Sequence, residues 1–235
     1  MKYIYGPLNS RRLGLSLGIN LIPYKTCNFD CIYCQLGKTT HKISERKEYI
    51  NIEEIFNEFK LCLQTTEKLD YITLSGSGEP TLNLQFSQLI KKIKEITSIP
   101  VAIITNASLL SDPSVRQELK SADLILPTLN TYNQEIFLKI NRPLEQIRIE
   151  DIIRGLIDLR KEFFGKIWLE IMLVKGINDN LRQIKKLKPI IDEIKPDKIH
   201  LNSPVRSTSE PNVFGVPRYK LKKIQEIFGE NCQII

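Results

Sequence analysis

Three cysteines within eight residues are the feature of this sequence with the clearest capacity for chemistry. Cys27, Cys31 and Cys34, the cysteine triplet, are spaced Cys-x3-Cys-x2-Cys and directly follow an apolar run that predicts a strand. Thiolates are the usual ligands of iron–sulfur clusters and of structural zinc. Structural zinc requires four protein ligands, and Cys62 and Cys232 supply no second cysteine pair. A cubane bound by three thiolates leaves one iron open, so the pattern favours a reactive cluster, with zinc or a thioredoxin-like redox pair as alternatives.

With Tyr33 directly before its last cysteine, the triplet resembles the signature of the radical S-adenosylmethionine (radical SAM) superfamily. The resemblance implies that the triplet holds a [4Fe–4S] cluster whose open iron binds the amino and carboxylate groups of S-adenosylmethionine. It also implies that Tyr33 lies near the adenine. The expected activity is reductive cleavage of S-adenosylmethionine to a 5′-deoxyadenosyl radical, which takes a hydrogen atom from a substrate. The resemblance identifies no further catalytic residue.

A second motif follows the next predicted strand, residues 71–74. Gly76, Ser77, Gly78 and Glu79, the glycine turn, precede a proline. Radical SAM proteins carry a Gly-Gly-Glu-Pro turn at this place, so the resemblance implies that the turn binds the methionine ammonium through backbone carbonyls and the Glu79 carboxylate. Ser77 replaces the first glycine and is small enough to permit close approach. The alternative is a tight turn that only links a strand to a helix.

Polar residues at three later strand ends are further candidates for cofactor binding. Asn106 ends the third strand and Asn130 follows the fourth, and both are expected near the cofactor's carboxylate or ribose. Glu170, on the fifth strand, is expected to accept hydrogen bonds from the ribose diol, as acids do in dinucleotide folds. Pairing of Glu170 with a barrel lysine or arginine is the alternative. Residues 175–179 form either a substrate-facing or a solvated loop.

Alternating strands and helices must position these residues. Short, nearly continuous apolar runs are typical of parallel strands covered by helices, whereas apolar residues three or four apart predict amphipathic helices. The runs that predict strands cover residues 17–22, 71–74, 101–105, 124–126, 167–174 and 198–201. Six such units predict an α/β fold, a partial (β/α)6 TIM-like barrel with parallel strands and outer helices. Catalytic sites of such barrels lie at the carboxyl ends of the strands.

The chain is expected to form one domain over residues 1–235, with an N-terminal extension at 1–15 and a C-terminal cap and helix at 203–235. Because no apolar run approaches the ~20 residues that span a bilayer, no membrane association is expected. The N-terminus lacks the layout of a signal peptide, which predicts a cytoplasmic location. Trp168 is predicted to lie in the barrel core, and the two histidines, His41 and His200, are predicted to be structural.

The net charge of +7 favours an acidic partner, either a nucleic acid or an electron-transfer protein. The superfamily resemblance implies a low-potential electron donor, flavodoxin or ferredoxin. Residues 5–14, which include Arg11 and Arg12, and residues 173–176 look similar to radical SAM proteins related to the wyosine-base synthases that modify tRNA. Those synthases carry a second cluster on cysteines ahead of the triplet, and residues 1–26 contain none.

Three hypotheses for function follow. The first is a radical SAM enzyme that acts on RNA, which the basic charge and the second resemblance favour. The next is a radical SAM enzyme that acts on a small molecule or a protein residue, which the compact chain favours. The last is a non-enzymatic iron–sulfur or zinc protein that relays electrons.

Overall fold

Strands and helices alternate along the structure, a computed structural model that describes residues 1–66 and 68–235. The strands are β1 (Ile4–Ser10), β2 (Gly14–Ile19), β3 (Thr26–Cys27), β4 (His41–Lys42), β5 (Tyr71–Leu74), β6 (Val101–Thr105), β7 (Leu124–Pro127), β8 (Lys166–Met172), β9 (Lys198–Asn202) and β10 (Cys232–Ile234). The helices are α1 (Ile52–Gln64), α2 (Phe86–Ile96), α3 (Pro113–Leu119), α4 (Gln134–Asn141), α5 (Ile149–Glu162), α6 (Leu181–Ile194) and α7 (Arg218–Phe228), with a 3-10 helix at Pro80–Leu82.

Eight strands form one sheet in the order β1-β2-β5-β6-β7-β8-β9-β10. All neighbours from β2 to β10 are parallel, and only β1 pairs antiparallel, with β2. The predicted α/β fold with six parallel strands and outer helices is therefore confirmed. Edge strands β1 and β10 are additions: β1 contains Gly6, Pro7 and Asn9 and is mostly exposed, so it lacks the apolar run of a buried strand.

Side-chain caps explain where several helices begin. Asn51, Asp112, Asn133 and Asn180 each accept a hydrogen bond from a backbone amide of the first turn of α1, α3, α4 and α6, respectively. Each apolar stripe packs against the sheet, and these side chains form one large core with the strands. Among the described residues, no helix is long and apolar enough to cross a membrane.

The turn of the β1–β2 hairpin contributes to the interior of the barrel. Leu13 packs there with Ala102, Leu124, Leu126 and Trp168, which point inward from β6, β7 and β8. Trp168 is only 7% exposed, so its predicted position in the barrel core is confirmed. Arg12, the residue before Leu13, reaches the same interior and pairs with Glu170.

His200 is a buried, structural histidine on β9. Its ring packs edge-to-face against Trp168 with the centroids 5.4 Å apart, and its Nδ1 atom has no hydrogen-bond partner in the part of the chain that the structure describes. Burial lowers the pKa of His200 to about 4; the neighbouring Glu170 opposes that shift, whereas Arg12 and Lys198 add to it.

We expect replacement of His200 by phenylalanine to reduce the acid sensitivity of the fold. Histidine has a pKa near 6.5 in the unfolded chain and about 4 here, so below pH 6.5 the unfolded chain takes up a proton that the folded chain does not. The free energy of unfolding of the wild type therefore falls as the pH drops from 6.5 towards 4. Melting temperatures measured across this window should fall by a few degrees less in His200→Phe; equal pH slopes would contradict the assignment.

Candidate functional site

The cysteine triplet occupies a loop between two short strands. Cys27 ends β3, and residues 28–40 lead to β4, which pairs with β3 in parallel. The amide of Cys34 donates to the carbonyl oxygen of Cys31 at 3.0 Å, which closes a tight turn across the Cys-x2-Cys segment. All five cysteines are free thiols.

Cys27 lies on the barrel side of this loop. Its sulfur accepts hydrogen bonds from the backbone amide of Phe29 (3.4 Å) and from Nδ2 of Asn106 (3.6 Å). Burial raises the pKa of the Cys27 thiol, and the nearby carboxylate of Glu79 adds to the shift. A thiolate at this position therefore needs a positive charge, which iron supplies in a cluster.

Cys31 is held by an amide and phenol network. Asn141, at the end of α4, donates from Nδ2 to the Cys31 sulfur (3.3 Å) and to the hydroxyl oxygen of Tyr33 (3.2 Å). Asn130 donates to the same hydroxyl oxygen at 2.9 Å. Burial raises the pKa of Cys31 to about 11. The network fixes the Tyr33 hydroxyl beside the cysteine loop, and contact of Tyr33 with adenine stays a prediction.

The sulfur of Cys34 faces a buried ammonium group. Lys25 is only 3% exposed and donates from Nζ to the Cys34 sulfur at 3.2 Å. Its backbone is left-handed, with φ of 57°. Sequence reasoning missed both Lys25 and Asn141. A lysine two residues before a cysteine is a signal available in the sequence, whereas Asn141 lies more than a hundred residues away from Cys31.

The glycine turn is bonded to the chain just ahead of Cys27. The amide of Lys25 donates to the carbonyl of Ser77 (2.7 Å), and the amide of Glu79 donates to the carbonyl of Thr26 (3.2 Å). Gly78 permits this approach because a Cβ atom there would lie 1.7 Å from the Thr26 oxygen. The two sequence motifs therefore form one unit, which we call the clamp: residues 25–27 and 77–79.

Glu79 lies within this unit as a buried carboxylate, 2% exposed. Its Oε1 accepts from the hydroxyls of Thr81 (2.6 Å) and Thr105 (2.7 Å) and from the Thr81 amide, and its Oε2 accepts from the amide of Asn106 (2.7 Å). Burial raises the pKa of Glu79, and these hydrogen bonds oppose the shift. Four donors fix the carboxylate in one orientation at the ends of β5 and β6.

Asn130 connects the cysteine loop to the fifth barrel strand. Its Oδ1 accepts from the amide of Met172 at 2.8 Å, and its backbone oxygen accepts from Asn178. Asn178 also donates to Met172 and accepts from Val174. Its buried side chain anchors the loop at residues 175–179, so this segment is packed rather than wholly solvated. Substrate contact by that loop stays a prediction.

Glu170 faces the hairpin turn, where Arg12 lies. Its Oε2 accepts from Nη1 of Arg12 at 2.5 Å, which is the ion pair weighed as the alternative from sequence. The structure thus groups the candidate residues into three places. Cys27, the glycine turn and Asn106 form one network, Cys31, Tyr33 and Asn130 form a second beside it, and Glu170 lies with Arg12 in the barrel interior.

The nitrogen donors around the three sulfurs are compatible with a cluster. Within residues 1–66 and 68–235, no three His, Cys, Asp or Glu side chains are placed to share one metal ion. A cubane needs no such group, since each thiolate binds a different iron. Each sulfur also has its own N–H donor, and such hydrogen bonds are a usual means of setting cluster potentials.

Comparison with known proteins identifies the family. Residues 21–187 match the Radical SAM superfamily. This chain belongs to the radical SAM superfamily. Its members are generally enzymes and use a [4Fe–4S] cluster and S-adenosylmethionine.

Relatives of this radical SAM protein extend over nearly the whole chain. It is 37% identical to a UPF0026 protein of Methanocaldococcus jannaschii over 232 residues, which cover 98% of this chain and 72% of that protein, so it also belongs to the UPF0026 group. A protein of Brachyspira hyodysenteriae named GTPase Obg is 41% identical over 233 residues, 99% of this chain. The chain spans only 34% of the length of that protein.

The fold of this radical SAM protein resembles solved structures as well. A structure of TYW1 with a lysine–pyruvate adduct bound superposes with a TM-score of 0.67 at 18% identity, over 92% of this chain and 74% of that one. TYW1 is a wyosine synthase. The radical SAM resemblance stated from the sequence is confirmed by the family match, and the fold of TYW1 agrees with it. At this identity the likeness concerns the fold alone.

Proposed function

We propose that this protein is a radical SAM enzyme whose cysteine triplet binds the [4Fe–4S] cluster and whose glycine turn binds S-adenosylmethionine. The observation that carries the proposal is the clamp, in which the segment leading into Cys27 is hydrogen-bonded to Ser77 and Glu79. Residues that bind a cluster and residues that bind its co-substrate must lie side by side. Here the hydrogen bonds of the clamp hold the two segments in place against each other. Asn106 supports both, because it contacts Cys27 and Glu79.

When bound and reduced, the cluster supplies the electron that cleaves S-adenosylmethionine to methionine and a 5′-deoxyadenosyl radical. The protein holds and orients the reactants. Glu79 presents a fixed, buried carboxylate to a cationic group, which suits the methionine ammonium. Asn130 and Tyr33 set the position of the cysteine loop, and Glu170, oriented by Arg12, is proposed to face the ribose from the barrel interior.

Anaerobic reconstitution tests this proposal. Protein loaded with iron and sulfide should turn brown and, with dithionite and S-adenosylmethionine, release 5′-deoxyadenosine and methionine. Cys232→Ser, which changes a buried cysteine on β10 outside the triplet, serves as a control and should retain both properties. A reconstituted brown protein that yields no 5′-deoxyadenosine would instead be an electron carrier, and a colourless protein that contains zinc would contradict the cluster itself.

RNA is the substrate class that we propose to test first. The net charge of +7 and the fold shared with TYW1 support it. The same charge suits docking of an acidic, low-potential donor such as flavodoxin or ferredoxin, and thiol ligation of a cluster suits a reducing, cytoplasmic compartment. Binding of bulk tRNA should weaken steeply with added salt. Absence of salt-dependent binding would favour a small molecule or a protein residue as the substrate.

Lys25 is expected to raise the reduction potential of the cluster. A buried ammonium 3.2 Å from the Cys34 sulfur stabilises the extra negative charge of the reduced state. Lys25→Met should therefore lower the potential by on the order of tens of millivolts, measured by a redox titration followed by electron paramagnetic resonance. Lys38→Met removes an exposed lysine from the same loop and should leave the potential unchanged. Equal potentials in wild type and Lys25→Met would exclude this effect.

A further inference from the structure

A cavity of about 320 Å³ lies between the cysteine loop and the β1–β2 hairpin turn. Its walls come from four places that are distant in sequence: the end of β1 with the hairpin turn, the end of β9 with the segment after it, Ile235 after β10, and Gln35, which directly follows Cys34. The volume lies at the lower end of the range for small-ligand pockets. Because Gln35 lines it, a molecule in this cavity lies beside the residue that follows the last cysteine of the triplet.

Three guanidinium groups line this cavity, from Arg11, Arg12 and Arg206. Arg12 is neutralised by Glu170. Arg11 contacts only the amide oxygen of Asn202, at 3.4 Å, and Arg206 contacts only that of Gln35, also at 3.4 Å, within the described ranges 1–66 and 68–235. No acidic side chain from those ranges lines the wall. Two positive charges therefore face the cavity with only long, neutral contacts.

We infer that this cavity binds a phosphate group of the substrate through Arg11 and Arg206; the inference rests on the proposed function. A guanidinium offers five N–H donors in a planar fork that fits phosphate oxygens in pairs, and each of these two groups uses one donor on a weak contact. A phosphate ester, with up to two negative charges and three free oxygens, satisfies two guanidinium groups, whereas a single carboxylate satisfies one. Ser10 and Asn9 add polar groups to the same wall.

The phosphate belongs either to a free nucleotide or to an RNA strand, and both present the same chemistry to the arginines. Isothermal titration of the reconstituted protein with AMP and with bulk tRNA distinguishes the two sources. Arg11→Gln combined with Arg206→Gln should weaken binding of the phosphate ligand at least tenfold. Arg182→Gln, at an exposed position on α6 away from the cavity, should change the affinity less than twofold. Arg11→Lys, which keeps the charge without the fork, should give an intermediate loss.

Several results would overturn the inference. The first is an affinity for both AMP and tRNA that is unchanged in the double variant, and the second is a wild-type protein that binds neither ligand. The third is arginine-dependent binding of citrate that is as tight as binding of the phosphate ligands. Thermal melting of each variant shows whether a loss reflects unfolding. Wild-type protein that releases 5′-deoxyadenosine but binds neither phosphate ligand would refute the phosphate site alone. Arginine-dependent phosphate binding without release of 5′-deoxyadenosine would refute the proposed function and leave the phosphate site standing.

Discussion

Replacing Cys34 with alanine is expected to abolish the cluster and cofactor cleavage while the barrel stays folded. Two thiolates cannot hold a cubane in a defined position, so the broad absorbance near ~400 nm that iron–sulfur proteins show should disappear after reconstitution. Release of 5′-deoxyadenosine should fall to the background of free iron and dithionite. The barrel core contains none of the Cys34 side chain, which lies half-buried in the loop, so circular dichroism should match the wild type.

A second substitution separates loss of the cluster from loss of the partner of Lys25. Cys34→Ala removes the sulfur that accepts from the buried ammonium, whereas Cys34→Ser keeps an acceptor atom at the same place. Both variants should lack the chromophore, and the alanine variant should melt at the lower temperature. Cleavage of S-adenosylmethionine by either variant at wild-type rate would show that Cys34 is not a ligand.

The sequence predicted the parallel core of the fold because strands that are buried on both faces are nearly continuous apolar runs. Strands β5, β6 and β7 are such runs, so their burial can be predicted from local composition alone. The edge strands have no such apolar run. β10 is three residues long and depends on pairing with β9. Helix α4 was also missed, because in eight residues the apolar positions repeat too few times to identify a helix.

The candidate site shows the same division between local and distant information. Spacing within each of two loops pointed to the cysteine triplet and to the glycine turn, because the chemistry needs those residue types close together in sequence. Two of the donors to the sulfurs come from distant parts of the chain: Asn106 from the end of β6 and Asn141 from α4. Arg12 reaches Glu170 across 158 positions of sequence. Such pairs depend on how the barrel closes, which periodicity does not reveal.

The clamp also explains why a serine is compatible with the glycine turn. Ser77 uses its backbone, which donates to Asn20 and accepts from Lys25, and its side chain is not required for either contact. Gly78 is the position where the backbone of Thr26 approaches most closely. The requirement for glycine therefore concerns the second glycine of the motif far more than the residue before it.

The second large effect is expected at this position, for Gly78→Ala. A Cβ atom would lie 1.7 Å from the carbonyl oxygen of Thr26, so the turn and the segment that leads into Cys27 must move apart. Overpacking of this kind costs about 1–3 kcal/mol of stability, or roughly 2–4 °C of melting temperature per kcal/mol in a chain of this size. Displacement of Glu79 relative to the cluster should cost more in activity: a shift of ~1 Å at an active site lowers rates by about a hundredfold.

Gly176→Ala is the matched control, since Gly176 also lies in a loop after a barrel strand. Its φ is +76°, and nothing lies within 4 Å of the added Cβ, so the variant carries backbone strain of about 1–2 kcal/mol without a collision. Both variants should melt below the wild type. Only Gly78→Ala should show the roughly hundredfold loss of S-adenosylmethionine cleavage, and it should retain cluster absorbance. A Gly78→Ala enzyme that keeps wild-type cleavage would show that the close contact between the two motifs is not needed for catalysis, because the clamp would then tolerate separation of its halves.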